Sequence, residues 1–136
     1  MPQKISHIGI AVPDIEAASK FYTEHLGLKL GGVEEVPDQK VKVAFLPIGE
    51  VRLELVQPTS PDSPVAKFLE KNGPGVHHIA YQVADTAAEV ERLKAAGVRM
   101  VDETPRKGAH NTRIAFIHPK VSGGVLSELV QEMGHE

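Results

Sequence analysis

The feature that most limits how this chain can fold is an internal repeat. The segment HIGIAVPD near the amino terminus returns further on as HIAYQVAD. His7 and His78 are 71 residues apart (78 − 7), and Asp14 and Asp85 are separated by the same 71 (85 − 14). Self-similarity at a fixed offset indicates two copies of one supersecondary unit. We therefore expect the chain to fold as a duplicated module.

The repeat extends to a second pair of landmarks. RLELVQ contains Glu54 and LSELVQ contains Glu128, and these two residues are 74 apart (128 − 54). The three additional residues fall in the loop HPKVSGG of the second copy. Landmarks that recur in the same order along both copies indicate that the two glutamates occupy equivalent positions.

Each copy is predicted to contain a strand, a helix and three further strands. An Asp that suits a helix N-cap follows the first strand in both copies, and Gly follows each helix. The predicted strands lie at about 5–12, 28–36, 41–47 and 51–57, then at 76–83, 98–102, 112–117 and 125–131. The predicted helices lie at about 14–25 and 85–96, with a short helix at 64–71.

These elements predict an α+β fold of two βαβββ modules related by a pseudo-twofold axis. Module one covers about 5–57 and module two about 76–131. A linker at about 58–75 is rich in Pro, Ser and Gly at its ends. Each half-size module would expose one face of its sheet, so pairing the modules within a single domain of residues 1–136 buries that face.

Composition excludes several classes of function. A content of 41% hydrophobic and 24% charged residues is ordinary for a globular protein. The net charge of −3 and the lack of a basic run argue against a nucleic-acid partner. No apolar stretch approaches the roughly 20 residues that span a bilayer. The absence of cysteine excludes disulfides and Cys-ligated zinc. We expect a cytoplasmic protein with no membrane partner.

Strand alternation predicts which histidines share a face with small residues. On the first strand, His7 lies on the same side as Gly9 and Ala11, and bulky apolar residues lie on the other side. In the repeat, His78 takes the position of His7, and His77 points the opposite way. Small neighbours leave a hollow beside His7 and His78, which makes these two the functional candidates.

The repeated histidines and glutamates together form a candidate metal site. A carboxylate within an apolar strand is costly unless it is paired or binds a cation. His7, Glu54, His78 and Glu128 would supply two imidazole nitrogens and two carboxylates, a set that suits borderline divalent ions and leaves positions open for catalysis. A single histidine in a strand is more often a hydrogen-bonded core residue. Recurrence at equivalent positions favours the metal site.

The other histidines have no equivalent in the opposite copy. We expect His25, His110, His118 and His135 to be surface or loop residues. Two alternatives stay open for His118 and for the basic loop TPRKGAHNTR: these residues either contact substrate or are solvated turns.

Several stretches resemble a known family. HIGIAVPDIEAASKFY, QPTSPDSPVAKFLEKNGPGVHHIAY, PRKGAHNTRIAFIHPK and GGVLSELVQ resemble methylmalonyl-CoA epimerases, which belong to the vicinal oxygen chelate (glyoxalase/bleomycin resistance-like) superfamily. The resemblance covers nearly the whole chain. It implies a metal-containing cleft with the ligands His7, Glu54, His78 and Glu128. It also implies a homodimer, and the donor set itself fits cobalt, manganese, nickel or zinc.

The resemblance implies an isomerase acting on an acyl-CoA. Such an enzyme interconverts (R)- and (S)-methylmalonyl-CoA by proton abstraction and reprotonation through a metal-stabilised enolate. The chain departs from the family pattern at one point, because some members have a proposed catalytic Glu where Val43 stands and Gln where Glu54 stands. We therefore expect Glu54 and Glu128 to be the catalytic carboxylates. Lys107, Arg113 or Lys120 would meet the CoA phosphates.

Three other functions are alternatives for such a chain. A glyoxalase I-like lyase uses a similar donor set and similar enolate chemistry on a glutathione hemithioacetal. An extradiol dioxygenase binds iron with two His and one carboxylate, so a fourth ligand at Glu54 argues against it. A metal-free ligand-binding module of the same fold would have no need of the complete set of four.

Overall fold

The computed structural model describes residues 1–134, and the prediction for His135 lies outside them. The chain divides into two compact units. The first unit is His7–His77, and the second unit contains Met1–Ser6 and the chain from His78 onward. Within the described residues, no helix is both long enough and apolar enough to cross a membrane.

The elements follow the predicted order. The strands are β1 (Lys4–Ala11), β2 (Gly32–Val36), β3 (Val41–Ile48), β4 (Val51–Pro58), β5 (Gly75–Gln82), β6 (Arg106–Gly108), β7 (Thr112–Ile117) and β8 (Leu126–Glu132). The helices are α1 (Ile15–Lys20), α2 (Pro64–Asn72) and α3 (Thr86–Ala95). A π-helical turn, Phe21–His25, continues α1, and a 3₁₀ turn, Pro37–Gln39, joins β2 to β3.

In the first unit the strands are ordered β2-β3-β4-β1. β1 runs parallel to β4, and the other neighbours are antiparallel. One face of this sheet packs against α1 through a buried apolar cluster of Val12, Ile15, Ala44, Leu46 and Leu55. Because side chains alternate along a strand, the opposite face carries the residues between these, including Glu54.

The second unit repeats this arrangement in the order β5-β8-β7-β6, with β5 parallel to β8. The face toward α3 is filled by Val83, Val90, Met100, Ala115 and Leu129. A separate cluster covers the other face and consists of Ala80, Ile114, Phe116 and Val130.

The same glutamine contact ties the start of each main helix to the last strand of its module. Gln57 Oε1 accepts a hydrogen bond of 2.9 Å from the backbone N–H of Ile15, and Gln131 Oε1 accepts one of 2.9 Å from that of Thr86. The first backbone N–H groups of a helix have no partner within the helix. The repeated ELVQ sequence therefore fixes both helix starts relative to the strands that carry the glutamates.

The predicted strand at 98–102 is wrong. Met100 forms only an isolated bridge with Ile117, and the corresponding strand is β6, Arg106–Gly108. The carboxylate of Asp102 accepts the backbone N–H of Phe116, which removes the donor that a neighbouring strand would use. A Cβ at Gly108 would lie 2.7 Å from Thr112 Oγ1, so the close pairing of β6 with β7 requires glycine there.

Candidate active site

In the first unit, a histidine and a glutamate are buried side by side. His7 Nδ1 lies 3.3 Å from Glu54 Oε2, and both side chains are more than nine-tenths buried. The register of the sheet produces this contact, because Glu54 is paired with Gly9 on β1 and with Phe45 on β3. The glycine leaves room beside the carboxylate, as strand alternation predicted.

Arg52 also contacts Glu54, and the sequence did not identify this contact. Its Nε and one terminal nitrogen lie 3.2 Å and 3.1 Å from Glu54 Oε2. Charge-assisted hydrogen bonds are the strong ones, and these two fix the orientation of the buried carboxylate. The available signal was spacing, because a residue two positions before Glu54 in the same strand lies on the same face.

The second unit contains an equivalent pair. His78 Nε2 lies 3.2 Å from Glu128 Oε1, and both side chains are more than nine-tenths buried. Glu128 is paired with Ala80 on β5 and with Phe116 on β7. The ring of Phe116 meets the His78 imidazole edge-on, with centroids 5.6 Å apart and an interplanar angle of 88°. The carboxylate of Glu128 and the ring of Phe116 therefore both contact the His78 imidazole.

His77 has different surroundings. Its ring packs edge-on against Phe68 of α2, with centroids 5.0 Å apart. Ala80, two residues beyond His78, lies in the cluster with Phe116, whereas Val83 lies in the cluster around α3. The prediction that His78 rather than His77 shares a face with small residues is confirmed.

Arg106 lies on the same face of the second unit. Its guanidinium carbon is 5.8 Å from the centroid of Phe116, and its Nε is 3.3 Å from Asp102 Oδ1. The other carboxylate oxygen of Asp102 accepts the backbone N–H of Phe116 at 2.9 Å. Asp102 and Phe116 thus hold a cation one ring away from the histidine. The sequence indicated the basic loop that contains Arg106, but Lys107 and Arg113 were the residues selected from it.

The cations predicted to contact substrate are solvent-exposed. Lys107 pairs with Arg113 across β6 and β7, and both alternate away from the face of Arg106. Lys120 is exposed in the loop before β8, where its backbone N–H donates to His118 Nδ1 at 3.1 Å. Desolvation, followed by the positive charges of Arg99 and Lys120, lowers the pKa of His118. His118 therefore serves as a neutral acceptor that closes its loop.

Val43 lies on the same face as Glu54. It is buried and pairs with Val56, two residues along β4 from the glutamate. Directly opposed residues point to the same side of an antiparallel pair, and each strand returns to that side every second residue. A hydrocarbon side chain therefore occupies the position where a carboxylate would have reached the same space as Glu54.

The donor chemistry of these buried residues suits a divalent metal ion. His7, His78 and Glu128 each offer an atom of a type that binds metals, and Glu54 offers a further carboxylate. Two imidazoles and two carboxylates match ions of borderline softness such as Zn²⁺, Co²⁺, Ni²⁺ and Mn²⁺. The two buried carboxylates each stand in an apolar strand, a placement that is costly for a structural role alone.

Residues 6–116 match the model of the Glyoxalase/Bleomycin resistance protein/Dioxygenase superfamily. The chain is 43% identical to the ethylmalonyl-CoA/methylmalonyl-CoA epimerase of Cereibacter sphaeroides, with 94% of this chain and 97% of that protein covered. It is 41% identical to the human mitochondrial methylmalonyl-CoA epimerase, with 94% of this chain and 73% of that protein covered.

A solved structure shows the same similarity. A variant of the Streptomyces coelicolor methylmalonyl-CoA epimerase, in complex with 2-nitronate-propionyl-CoA, superposes with a TM-score of 0.95 at 41% identity. The similarity covers 100% of this chain and 99% of that one. The glyoxalase-like fold that the family resemblance implied is therefore confirmed.

Proposed function

The chain belongs to the Glyoxalase/Bleomycin resistance protein/Dioxygenase superfamily, and on that basis we propose that it is an epimerase interconverting (R)- and (S)-methylmalonyl-CoA. One observation carries the proposal. Each unit holds a buried His–Glu pair at the same place in its module, His7–Glu54 at 3.3 Å and His78–Glu128 at 3.2 Å. The residues that recur are those that acid–base chemistry on a chelated thioester requires.

The proposal includes one divalent cation held by all four residues of the two pairs. The donor set suits cobalt, manganese, nickel or zinc. A bound cation would supply Lewis-acid stabilisation of the negative charge that develops on the thioester oxygen. The two units would then act together as a single vicinal oxygen chelate domain of residues 1–136.

The glutamates would move the proton. The reacting carbon lies between a thioester carbonyl and a carboxylate, and inversion needs an acid or base group on each face of the planar intermediate. Glu54 and Glu128 occur at equivalent positions of separate modules, so we assign one face to each. All the contacts of Glu54 described above go to Oε2, which leaves Oε1 to accept the proton.

The surrounding residues would hold the glutamates and exclude water. Arg52 fixes the carboxylate of Glu54 through two hydrogen bonds. On the face of His78, the apolar cluster of Ala80, Ile114, Phe116 and Val130 gives the reacting groups a surface with few polar atoms. Electrostatic interactions are stronger where water is excluded, so charge on the intermediate is stabilised more effectively.

Other parts of the proposal rest on the sequence. Lys107, Arg113 and Lys120 are solvent-exposed cations suited to the phosphates of CoA. We also propose a cytoplasmic homodimer, as the family resemblance and the cysteine-free composition suggest.

The function can be tested by following stereochemistry and isotope uptake together. Purified protein, loaded in turn with Co²⁺, Mn²⁺, Ni²⁺ or Zn²⁺, is incubated with (S)-methylmalonyl-CoA in heavy water, beside a sample without protein. We expect conversion to a mixture of both isomers with deuterium at the inverted carbon. Lactoylglutathione formation from the hemithioacetal of methylglyoxal, without epimerisation, would instead identify a glyoxalase I-like lyase. If the protein binds methylmalonyl-CoA but none of the metal-loaded samples converts it, the protein is a ligand-binding module that does not use a metal.

A further inference from the structure

We propose that Arg106 binds the free carboxylate of the acyl group and thereby selects malonyl-type thioesters over simple acyl thioesters. This inference rests on the proposed function, because it names the group of that substrate which the second unit recognises. It adds a specificity-determining residue that lies outside the two His–Glu pairs.

The position of Arg106 favours contact with the acyl group. Arg106 pairs with Ile114 across β6 and β7, so its side chain shares the face of Ile114 and Phe116. Its guanidinium carbon lies 5.8 Å from the Phe116 centroid, and Phe116 lies 5.6 Å from the ring of His78. One aromatic ring therefore separates a permanent cation from the histidine next to which the reaction is proposed to occur.

The hydrogen-bonding state of Arg106 also indicates a missing partner. Its Nε is buried and has no hydrogen-bond partner among the described residues. Asp102 Oδ1 lies 3.3 Å away as an ion-pair partner, but the alignment is not that of a hydrogen bond. Buried donors are nearly always satisfied in native structures, so the exception at Arg106 calls for an explanation, and an anion bound by the guanidinium provides one. Because Asp102 lies against Nε, an oxyanion would be bound by the terminal nitrogens of the guanidinium.

Asp102 is the nearby negative charge, and its geometry is compatible with an anion bound to Arg106. One of its oxygens is engaged by the backbone N–H of Phe116 and the other faces Arg106 Nε. Asp102 therefore fixes the orientation of the guanidinium while the remaining donors stay available. A planar guanidinium fork matches the two oxygens of a carboxylate.

The carboxylate is favoured over a CoA phosphate as the occupant. The reacting carbon bears both the thioester and the carboxylate, whereas the pantetheine arm separates the phosphates from that carbon. Arg106 lies beside the ring that contacts His78, while Lys107 and Arg113 point to the opposite side of the hairpin. Arg106, the cation nearest to His78, is thus matched to the acyl carboxylate, which is the anion nearest to the reacting carbon.

The test compares two thioesters that differ in the carboxylate. Dissociation constants for methylmalonyl-CoA and propionyl-CoA are measured by calorimetry with metal-loaded wild type, Arg106→Gln, Arg106→Lys and, as a control, Arg92→Gln on the exposed surface of α3. We expect Arg106→Gln to weaken methylmalonyl-CoA binding by about 10- to 100-fold, the value of a lost charged hydrogen-bonding partner. Propionyl-CoA binding should stay unchanged, which also shows that the variant is folded.

Arg106→Lys should fall between wild type and Arg106→Gln, since it keeps the charge but loses the fork. Arg92→Gln should bind both thioesters as wild type does. Equal weakening of both thioesters by Arg106→Gln would assign Arg106 to a CoA phosphate and overturn the inference, as would an unchanged preference for methylmalonyl-CoA. If wild type fails to epimerise methylmalonyl-CoA, the proposed function is contradicted instead, so the two failures are distinguishable.

Discussion

Arg52 donates two hydrogen bonds to Glu54, and Leu126 stands at the same register position beside Glu128. In the parallel pair β1–β4, Arg52 lies two residues before Glu54, as Leu126 does before Glu128 in β5–β8. The two His–Glu pairs are therefore alike in their donors but differ in the neighbour of the carboxylate. Only the first unit holds its glutamate with a guanidinium at this position.

Replacing Arg52 should make the protein depend more on metal for its stability. Arg52→Leu leaves the buried carboxylate of Glu54 without its cation, and breaking a buried ion pair costs about 3–5 kcal/mol, less where a partner is partly exposed as Arg52 is. A bound divalent ion would restore part of that compensation. We expect the metal-induced rise in the free energy of unfolding, measured by urea denaturation, to be larger in the variant than in wild type.

Arg92→Leu is a matched control for the Arg52 variant. Arg92 pairs with Glu89 on the exposed side of α3, and exposed pairs contribute about 0–1 kcal/mol. Its unfolding free energy should change little, with or without metal. An identical loss for Arg52→Leu in both conditions would show that this pair has no link to metal binding.

Two adjacent histidines give a direct test of the ligand assignment. His78→Ala should reduce metal affinity by more than about 100-fold, since removing even an outer partner of a metal ligand typically costs 10- to 100-fold. His77 points to the opposite side of β5 from His78, and its ring packs edge-on against Phe68, so the metal affinity of His77→Ala should match that of wild type. Calorimetric titration with Zn²⁺ or Mn²⁺ measures both. Equal losses in the two variants would contradict the assignment.

Glu54→Gln separates proton transfer from metal binding. The amide keeps an oxygen that can coordinate a cation but cannot accept a proton as a base, and general acid–base catalysis contributes about 10²- to 10⁴-fold. We expect kcat for epimerisation to fall within that range while metal content stays near wild type. Exchange of the substrate proton from one stereoisomer should persist through Glu128.

The exposed Glu70 on α2 provides the control for this variant. Glu70→Gln removes one charge from the surface and should leave both metal content and kcat unchanged. If Glu54→Gln binds metal and retains nearly full epimerase activity, Glu54 is a ligand alone, and another group carries the proton on that face.

A surface ion pair near β4 predicts a specific response to acid. Hydrogen bonds from Lys40 and Ser60 lower the pKa of Asp62 from 3.8 to about 2. The folded state therefore binds fewer protons at Asp62 than the unfolded state, and the stabilisation is present above 3.8 and lost as pH falls toward about 2. We expect the difference in unfolding free energy between wild type and Asp62→Asn to shrink across that interval, measured on metal-free protein. A constant difference would show that the pair contributes nothing.

The repeat predicted the fold because each structural requirement occurs twice in the sequence. Strand alternation alone predicted which histidines share a face with small residues, because alternation depends only on local geometry. The second strand of the second module was misplaced because VRMV has the apolar character of a strand. Whether it forms one depends on the Asp102 side chain, which takes the backbone N–H of Phe116.

The charged residues next to the two His–Glu pairs could not be identified from the pattern of a single strand. An arginine in a strand is usually read as a solvated residue, and Arg52 and Arg106 become informative only once register places them beside Glu54 and Phe116. Register depends on the pairing of several strands at once. Spacing within one strand could have indicated Arg52, whereas Arg106 required the position of β6.

The difference between Arg52 and Leu126 has a consequence for how such a protein can evolve. In a homodimer of single modules, every mutation appears in both modules, because the two chains are identical. A chain in which the module has been duplicated can alter one copy and leave the other intact. A thioester with a carboxylate at one end and a nucleotide at the other is not symmetric, so a protein that binds it gains when the residues around its two ligand pairs differ. Duplication would then have kept two matched ligand pairs while freeing their surroundings to diverge.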